Sequence, residues 1–406
     1  MPKKILTFSL AYYPKYYGGA EVAIKEITDR IGPGDIEFHM LTMRFDSSLP
    51  REEKIGNVII HRVGFGIPHA ELTTTHSLFF YILKILFVPM AAWRGVTLHR
   101  KYRFDALWAM MSYMLFPISL MRLFGVRVPY VLTLQEGDPF ERVFARWYIR
   151  PFSFLLRYGF RNASVVQAIS TFLARWADQY GYRGQVVVVP NGVDTRSFSE
   201  GFSPAAREDL ERELGKKAGD VYLITASRFV HKNAIEDVIT ALVHLPENIY
   251  FLVLGAGPEE AMLRKVAASA GVEDRVKWLG QVDHVRLPGY LQVSDIFVRP
   301  SRSEGMGNSF IEAMAAGLPV IATQEGGIAD FLFDAKRNPD KPATGWAVDK
   351  DSPEQIAQAV KDIIGNPEQV KNVIETARKL AFEKYDWGLL ARDMREKVFG
   401  KVLKNS

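Results

Sequence analysis

Short β-rich runs alternate with helical segments along nearly the whole chain, and this alternation limits the fold more than any other sequence feature. A repeated order of strand, turn and helix predicts βαβ units and a parallel sheet. Amphipathic helices are predicted at Glu21–Ile31, Ala234–Leu245 and Glu259–Ala270. The predicted strands form two series: Lys4–Ser9, Glu37–Thr42, Val58–Val63, Ala106–Ala109, Tyr130–Leu134, Ser164–Ala168 and Val186–Val189, and then Val221–Ala226, Ile249–Leu254, Val276–Trp278, Ile296–Arg299 and Val320–Ala322.

A polar interval from Asp194 to Asp220 separates the two series. The pattern therefore predicts an α/β protein with two Rossmann-like, doubly wound domains, residues 1–195 and 196–386, that face each other across a cleft. Residues 387–406 are predicted to form a final helix, and packing on the first domain is one arrangement open to it. Open α/β sheets bind ligands beyond the carboxyl ends of their strands, so we expect functional side chains on the loops that follow strands.

Cysteine is absent from the 406 residues, which bears on both chemistry and location. Its absence excludes disulfides, thiolate metal sites and cysteine nucleophiles, and it favours a reducing compartment. The N-terminal run Ile5–Leu10 is too short for a signal peptide and is predicted to lie in a buried first strand. We therefore expect a cytoplasmic protein.

Metal-binding signals are weak in this sequence. No His-Glu-x-x-His motif or other clustered ligand set occurs, so we expect no metal and no resident cofactor. Asp349-Lys350-Asp351 has the Asp-x-Asp spacing of metal-dependent transferases. It lies in a polar segment far along the chain from the other motifs, and we interpret it as a helix start or a surface cluster.

The net charge of +5 is unevenly distributed. Residues 1–200 contain 24 Lys and Arg against 16 Asp and Glu, whereas residues 201–406 contain 27 against 30. A basic first half is consistent with a solvated surface, or with binding to anionic lipid head groups or a phosphorylated acceptor. A nucleic-acid partner is not expected, because no RNA- or DNA-binding motif and no Arg- or Lys-rich run accompanies the charge.

Two stretches, Leu78 to Trp93 and Leu107 to Phe124, are more apolar than the rest of the chain. Lys84 and Pro89 interrupt the first, so a membrane span of about 20 apolar residues is not predicted. Helices buried against a sheet are the first interpretation, and an interfacial amphipathic surface near Arg94 is the second. The second interpretation would place the protein peripherally on the inner face of a membrane.

The strongest motif is Glu304-Gly305-Met306-Gly307-Asn308, which is followed by a helical stretch that contains Glu312. It comes directly after a predicted strand, and its helix is expected to end with Gly317 as C-cap, before Pro319. Backbone N–H groups at such a helix start bind anions, and a diphosphate suits them. Glu312 is predicted about two turns into the helix, so that one carboxylate holds sugar hydroxyls and the other a ribose. A capped helix with two surface glutamates is the alternative.

Glycine and basic residues follow other predicted strands. Gly18 and Gly19 after the first strand permit close backbone approach to an anion, and a tight turn is the alternative. Arg228 and Lys232 follow the first strand of the second series, where they would stabilise a departing diphosphate unless they are solvated surface charges. Gly255-x-Gly257 lacks the third glycine of a dinucleotide fingerprint and is a weak signal.

The segment from Glu304 to Glu312 resembles the Glu-x7-Glu motif of retaining glycosyltransferases with the two-domain GT-B fold, most like glycosyltransferase family 4. Other segments resemble family elements in the expected order over nearly the whole chain: Gly18-Gly19-Ala20-Glu21, Val189-Pro190-Asn191-Gly192-Val193-Asp194, Ser227-Arg228-Phe229-Val230-His231-Lys232-Asn233, Leu254-Gly255-Ala256-Gly257-Pro258, Leu279-Gly280 and Gly326-Gly327. The resemblance implies a nucleotide diphosphate sugar as donor and co-substrate.

The resemblance also implies a role for each matching residue. Catalytic roles fall to Glu304, which would hold the donor sugar, and to Arg228 and Lys232, which would clamp the diphosphate. Glu312 would hold the ribose, and Gly19 would close on the donor from the first domain. The full set of implied donor-binding residues is Gly19, Gly255, Gly305, Met306, Gly307, Asn308 and Glu312.

One segment departs from the family pattern. The family has a histidine in a Thr-x-His element after a first-domain strand, whereas Gln135 stands at that place in Thr133-Leu134-Gln135-Glu136-Gly137-Asp138. Glutamine cannot exchange a proton, but it can hydrogen-bond a sugar hydroxyl. Gln135, Glu136 and Asp138 are therefore candidates for the acceptor side, and loop residues without function are the alternative.

The sequence and the resemblance together predict a retaining, metal-independent transferase that moves a sugar from a nucleotide diphosphate sugar to an acceptor hydroxyl. The acceptor is expected to be a glycan, lipid-linked or at a membrane surface. Because no protein nucleophile is evident, a front-face substitution is implied, in which the leaving phosphate accepts the acceptor's proton. A non-catalytic nucleotide-sugar-binding protein of the same fold is the alternative, motivated by Gln135.

Overall fold

The structure is a computed structural model that describes residues 2–15, 18–69, 78–144, 149–200 and 202–404. The chain divides into two units, residues 1–191 with 387–406 and residues 192–386. Each unit contains one sheet whose strands are almost all parallel. The predicted α/β class, with two Rossmann-like units, is therefore confirmed.

The first unit is built on a sheet that follows the Rossmann pattern. Its strands are β1 (Lys3–Phe8), β2 (Ile36–Met43), β3 (Glu52–Ile55), β4 (Val58–Val63), β5 (Ala106–Met110), β6 (Tyr130–Leu134), β7 (Val165–Ala168) and β8 (Val187–Val188). In the described residues they lie in the order β3-β4-β2-β1-β5-β6-β7-β8, and β3 pairs antiparallel with β4. The order reverses between β1 and β5, so these two strands form the switch point of the sheet.

The helices of the first unit cover the sheet because each connects one parallel strand to the next. They are α1 (Gly19–Arg30), α2 (Leu78–Tyr102), α3 (Leu115–Leu123), α4 (Phe140–Phe144), α5 (Ser153–Asn162) and α6 (Thr171–Gln179). Helix α2 contacts β2 and β4, and α3 packs between α2 and α5. These three helices therefore form one layer on the sheet.

The second unit repeats the plan with a smaller sheet. Its strands are β9 (Val221–Ala226), β10 (Ile249–Leu254), β11 (Val276–Gly280), β12 (Ile296–Arg299), β13 (Val320–Ala322) and β14 (Trp346–Ala347). Its helices are α7 (Thr195–Glu200), α8 (Pro204–Leu214), α9 (Ile235–Ala241), α10 (Glu260–Ser269), α11 (Leu287–Gln292), α12 (Asn308–Ala316), α13 (Pro353–Gly365) and α14 (Pro367–Lys384). The strand order among the described residues is β11-β10-β9-β12-β13-β14, which reverses between β9 and β12.

The C-terminal segment belongs to the first unit. It comprises α15 (Trp387–Asp393), a π-helical turn (Met394–Phe399) and α16 (Gly400–Leu403). Phe399 is buried, and its ring lies 5.8 Å from that of Phe38 and 5.0 Å from that of Trp108, between ring centroids. Phe38 and the next residue of β2, His39, point to opposite faces of the sheet. His39 contacts Tyr102 of α2, whereas Phe38 contacts Phe399, so the C-terminal segment covers the sheet face opposite α2.

Three features of the fold differ from the sequence prediction. The stretch Leu107 to Phe124 is not one buried helix, because it contains most of β5, a tight turn and α3. Strands β3 and β14 were not predicted, since the first is polar and the second has only two residues. The prediction for Leu78 to Trp93 is half right, because α2 is a helix on the sheet but keeps an exposed apolar face.

Phe399→Ala should lower the free energy of unfolding by about 3–5 kcal/mol, because it removes a buried ring between Phe38 and Trp108. The measurement is urea unfolding followed by tryptophan fluorescence. Phe65→Ala is the matched control, since that ring is 65% exposed, and it should change the free energy by less than about 0.5 kcal/mol. Equal effects of the two substitutions would show that the C-terminal segment does not complete this core.

Candidate active site

The candidate site of the second unit lies at the switch point of its sheet. Strands β9 and β12 are neighbours there, and the chain leaves their carboxyl ends in opposite directions. The loop Ser227–Asn233 follows β9, and the loop Pro300–Gly307 follows β12. The predicted Arg228 and Lys232 are therefore on one wall of the crevice, and the predicted Glu304 is on the other.

Helix α12 begins and ends where the sequence predicts. Gly307 is its N-cap with φ 88°, and Gly317 is its C-cap in the left-handed region with φ 82°. Asn308 is the first helical residue, so the N–H groups of the first turn face the loop Gly305–Gly307. Glu312 is the fifth residue of the helix, which corrects the predicted position of two turns to slightly more than one.

A buried arginine fixes the position of Glu304. Arg299 ends strand β12 and donates from Nη2 to Glu304 Oε2 at 2.5 Å and from Nη1 to Ser309 Oγ at 2.8 Å. Its guanidinium also lies 4.2 Å from the centre of the Phe310 ring. Burial lowers the pKa of Arg299, and the neighbouring Glu304 and Glu312 oppose that shift. The loop before α12 is thus built around a buried ion pair.

Two glycines hold the backbone of Glu304 from the other side. The Gly327 N–H donates to the Glu304 carbonyl oxygen at 3.0 Å. Gly326 has φ 63°, and a Cβ there would lie 2.0 Å from the same oxygen. The Gly326-Gly327 turn is therefore needed for close packing against Glu304, a reason independent of any ligand.

Glu312 contacts a histidine that sequence reasoning did not single out. His284 Nε2 lies 3.0 Å from Glu312 Oε1, and its ring packs edge-on to Phe198 with centroids 5.5 Å apart. The Glu312 side chain is 9% exposed and that of His284 is 55% exposed. His284 follows the end of β11, a position at the carboxyl edge of the sheet that could have drawn attention to it.

The two loops at the switch point are joined by Arg302. Its backbone N–H donates to the Lys232 carbonyl oxygen at 2.7 Å, and its Nη1 donates to the His231 carbonyl oxygen at 2.7 Å. Arg228 is exposed, and its carbonyl oxygen accepts from Asn233 Nδ2 at 2.7 Å. The structure thus brings together the Arg228–Lys232 loop and the Glu304 loop, through an arginine that the sequence analysis missed.

Arg302 is surrounded by three carboxylates. It donates to Glu236 at 2.7 Å, to Asp237 at 3.0 Å and to Asp351 at 2.6 Å. Burial raises the pKa of Asp237 to about 6, although Arg302 opposes the shift. Asp351 belongs to the Asp349-Lys350-Asp351 segment, which precedes α13 as predicted but is close in space to the motif loops, contrary to the sequence interpretation.

The predicted donor-binding residue Gly255 has a packing role in the structure. It has φ 133°, and a Cβ there would lie 1.9 Å from the Ser227 carbonyl oxygen. Its N–H donates to the Gly280 carbonyl oxygen at 2.7 Å. Gly255 therefore lets the loop after β9 pass over the end of β10, and a contact with donor stays a prediction.

In the first unit, the Gly18-Gly19 turn opens α1 at the carboxyl end of β1. Glu21 accepts from the Gly18 N–H at 2.8 Å and so caps the helix, and burial raises the pKa of its carboxyl group. Among the described residues, no atom would lie within 4 Å of a Cβ on Gly19. The glutamate of this motif thus caps the helix, and a contact between Gly19 and the donor stays a prediction.

The candidate acceptor residues follow β6 and are partly engaged within the first unit. Gln135 Nε2 donates to Asn191 Oδ1 at 2.9 Å, and the Asn191 amide donates back at 3.4 Å. Glu136 is buried and accepts from the Ser112 N–H at 2.6 Å, and burial raises the pKa of its carboxyl group. Asp138 is half-buried in the same loop, two residues before α4. A role for these residues toward an acceptor stays a prediction.

Metal ligation was also tested against the described ranges. Within residues 2–15, 18–69, 78–144, 149–200 and 202–404, no group of three or more His, Asp or Glu is placed to hold a metal ion. The cationic side chains at the candidate site are Arg228, Lys232, Arg299 and Arg302.

The fold and the site define the class of protein. Two Rossmann-like units, with a glycine-rich helix start and basic residues at the switch point of the second, are the plan of GT-B glycosyltransferases. Sucrose-phosphate synthase from Thermosynechococcus elongatus superposes with a TM-score of 0.82 at 19% identity over 100% of both chains. Anabaena HepE, in complex with UDP and glucose, has a TM-score of 0.76 at 19% identity over 98% of this chain and 100% of its own.

Sequence comparisons identify the family. The pattern of Glycosyltransferase Family 4 matches residues 17–197, and that of Glycosyl transferases group 1 matches residues 206–380. The two matched regions together span most of the chain, which is therefore similar to glycosyltransferase family 4.

Two curated relatives differ in how much of the chain they match. The GDP-mannose-dependent alpha-(1-6)-phosphatidylinositol monomannoside mannosyltransferase of Mycobacterium tuberculosis is 30% identical over 261 residues, which are 61% of this chain and 64% of the relative. The match thus spans less than two thirds of that relative's length. An uncharacterized glycosyltransferase of Methanocaldococcus jannaschii is 23% identical over 388 residues, 95% of this chain and 94% of its own.

Arg299→Met should lower the free energy of unfolding by about 3–5 kcal/mol, because it leaves the Glu304 carboxylate without its buried cation. Arg299→Met combined with Glu304→Gln should recover at least about 1 kcal/mol of that loss, since the two residues interact directly. The measurement is a double-mutant cycle by urea unfolding.

The control for this cycle is the exposed pair Arg207–Glu211 on α8. Arg207→Met should lower the free energy of unfolding by less than about 1 kcal/mol. Additive effects of the Arg299 and Glu304 substitutions would contradict the ion pair as the support of this loop.

Asp237→Asn should stabilise the protein above pH 6 and not below pH 4. The folded-state pKa of about 6 exceeds the unfolded value near 3.8, so the folded protein binds more protons between these pH values. Stability of the parent protein therefore falls as pH rises from 4 to 6, and the variant avoids a loss of up to about 3 kcal/mol. The measurement is urea unfolding at pH 4 and pH 7.5, with the exposed Asp274→Asn as control. A stabilisation equal at both pH values would be inconsistent with this origin.

Proposed function

We propose that the protein is a retaining glycosyltransferase that moves a sugar from a nucleotide diphosphate sugar to an acceptor hydroxyl. The observation that carries the proposal is the junction of two loops at the switch point of the second unit. There the Arg302 N–H binds the Lys232 carbonyl oxygen at 2.7 Å, so the basic loop and the Glu304–α12 motif form one site. Similarity to glycosyltransferase family 4 supports the same activity.

The diphosphate of the donor is proposed to bind at the start of α12. Free N–H groups of a first helical turn and the positive end of the helix dipole attract an anion. Arg228 and Lys232 add two cations on the facing loop. As the bond to the leaving group breaks, negative charge builds on the phosphate, and these groups stabilise it more strongly than they stabilise the bound donor.

The two glutamates are proposed to hold the hydroxyl groups of the donor. Arg299 fixes the carboxylate of Glu304, which lowers the entropy lost when Glu304 accepts hydrogen bonds from the donor sugar. Glu312 is proposed to accept from the ribose hydroxyls. His284 lies against the same carboxylate, so we expect it to hold Glu312 in one orientation.

The proposed reaction is a front-face substitution. The acceptor hydroxyl oxygen forms a bond to the anomeric carbon on the face from which the nucleoside diphosphate departs, so the configuration is retained. The bond between the anomeric carbon and the phosphate oxygen breaks, and the hydroxyl proton passes to that phosphate oxygen. We propose that no metal is needed, because Arg228, Lys232 and the helix start supply the positive charge.

The first unit is proposed to provide the acceptor side. Gln135, Glu136 and Asp138 follow β6 near its switch point, and Gly19 borders open space at the end of β1. The acceptor is proposed to be a glycan, lipid-linked or at a membrane surface, and the protein to be cytoplasmic and peripheral on the inner face of a membrane. The name of the mycobacterial relative, whose acceptor is a phosphatidylinositol mannoside, supports a lipid-linked acceptor.

A non-catalytic nucleotide-sugar-binding protein is the second candidate function. The observation that favours it is the amide pair between Gln135 and Asn191, which occupies the place of the family histidine with a group that exchanges no proton. Donor binding without transfer or hydrolysis would distinguish this function from the first.

Arg228→Ala, Lys232→Ala and Glu304→Gln should each lower the rate of sugar transfer at least about 100-fold. The first two remove cations that stabilise the departing phosphate, and the third removes the carboxylate that positions the donor sugar. Thermal shift with UDP, GDP and ADP sugars identifies the donor, and released nucleotide then measures turnover. EDTA is present throughout, because the proposal requires no metal.

The controls are Arg212→Ala and Lys265→Ala, two exposed cations of the second unit that lie outside the candidate site. Both should keep the parent rate. Parent-like turnover of all three site variants would refute the assignment of the site, and a donor-induced thermal shift without any turnover would favour the non-catalytic function.

A further inference from the structure

Helix α2 has an apolar outer surface, which is unusual for a helix packed on a sheet. Its inward face is buried at Leu83, Phe87 and Ala91. Its outward residues repeat at helical spacing, and they too are apolar for more than three turns: Tyr81, Ile82, Ile85, Leu86, Pro89 and Trp93. A surface helix of a soluble protein normally turns charged and polar side chains outward. The outer face of α2 therefore needs an apolar environment.

Helix α5 adds exposed rings to the same layer. Phe152 is 52% exposed and Phe154 is 62% exposed, whereas Leu156 and Phe160 pack inward. Because α3 packs between α2 and α5, the start of α5 belongs to the same helical layer as α2. Phe154 is in the first turn of α5, and Phe152 directly precedes the helix. We name this surface the apolar face, defined as Tyr81, Ile82, Ile85, Leu86 and Trp93 with Phe152 and Phe154.

The charged side chains of α2 and α5 are all positive, and one of them, Arg94, binds Glu52 of β3 at 2.6 Å. Asp105 is the only acidic residue of the sequence from 78 to 135, and it binds Lys3 Nζ at 2.9 Å. No acidic residue occurs from 142 to 177. Exposed cations lie at the end of α2 and along α5: Arg100, Lys101, Arg103, Arg150, Arg157 and Arg161. Such a surface is complementary to anionic head groups over an apolar interior.

Other occupants fit the surface less well. A second copy of the chain would bring the basic side chains of α2 and α5 against an identical basic set, which is unfavourable. The segment Tyr81–Tyr102 is long and apolar enough to cross a membrane by length and composition. Crossing would require Leu83, Phe87 and Ala91 to leave the sheet, so the fold favours a helix that lies in the plane of the membrane surface.

We propose that the apolar face docks on the surface of an anionic lipid bilayer. Ile85, Leu86 and Trp93 enter the boundary between head groups and acyl chains, and the arginines contact phosphates. Helices α2 and α5 each lead into a parallel strand, so both begin at the carboxyl edge of the sheet, the edge that carries Gln135 and Asp138. Docking there presents a lipid-linked hydroxyl to the acceptor side, a consequence that rests on the proposed function.

The test is co-sedimentation of the full chain with vesicles of phosphatidylcholine alone or with added phosphatidylglycerol, at low and high salt. The parent protein should bind the anionic vesicles and lose binding as salt rises. Ile85→Ser with Trp93→Ser should weaken binding at least about tenfold, because apolar area no longer enters the bilayer. The control is Met262→Ser with Val285→Ser, two exposed apolar residues of the second unit, which should bind like the parent.

Failure to bind anionic vesicles, or parent-like binding by the double variant of α2, would overturn the proposal. Sedimentation velocity without lipid tests the rival occupant, a second copy of the chain. If the parent protein is a dimer and the α2 variant is a monomer, the apolar face is a contact between copies. Donor-induced thermal shift is measured on the same proteins. The α2 variant should keep that shift, so loss of docking is distinguishable from failure of the proposed transferase site.

Discussion

A buried guanidinium at the end of strand β12 is the interaction on which the candidate site depends. Arg299 is almost inaccessible to water, so its charge must be met by fixed partners, and Glu304 and Ser309 meet it. The loop after β12 therefore folds back so that Glu304 and Ser309 reach Arg299 at the end of that strand. Gly307 can only be glycine there, because a Cβ would lie 2.7 Å from Arg299 Nη2. The same loop precedes the first turn of α12, so the anion site that we propose there depends on the Arg299–Glu304 ion pair.

Arg302 extends this constraint from one loop to the whole edge of the second sheet. Arg299 holds the loop after β12. Arg302, three residues later, binds the loop after β9 through the Lys232 carbonyl oxygen and the segment before α13 through Asp351. Burial raises the pKa of the neighbouring Asp237, Glu236 and Asp351 add to the shift, and Arg302 opposes it. Cations and carboxylates are therefore organised together, and the exposed Arg228 is held by its backbone rather than by an ion pair.

Local sequence patterns predicted the strands and the helix cap, but they did not predict the contacts between residues that are far apart in the chain. Strands β6, β9, β10, β12 and β13 have the bounds that their apolar runs indicate, and α12 ends at its predicted glycine cap. The residues that position Glu304 and Lys232 carry no such local signal. Asp351 is 49 residues from Arg302, and Asn191 is 56 residues from Gln135. Their pairing depends on strand order, which hydrophobic periodicity does not encode.

Helix α2 shows why composition alone left its role open. A helix that is apolar on all sides is equally consistent with a buried, a spanning or an interfacial position, because each removes apolar surface from water. Only tertiary packing separates them: Leu83 and Phe87 are buried on the sheet, while Ile85 and Trp93 remain exposed. Exposed basic residues of the first half lie around α2 and α5, and anionic lipid is the partner that we propose for them. The apolar stretch of α2 and part of the basic excess of the first half therefore lie on the same surface of the first unit.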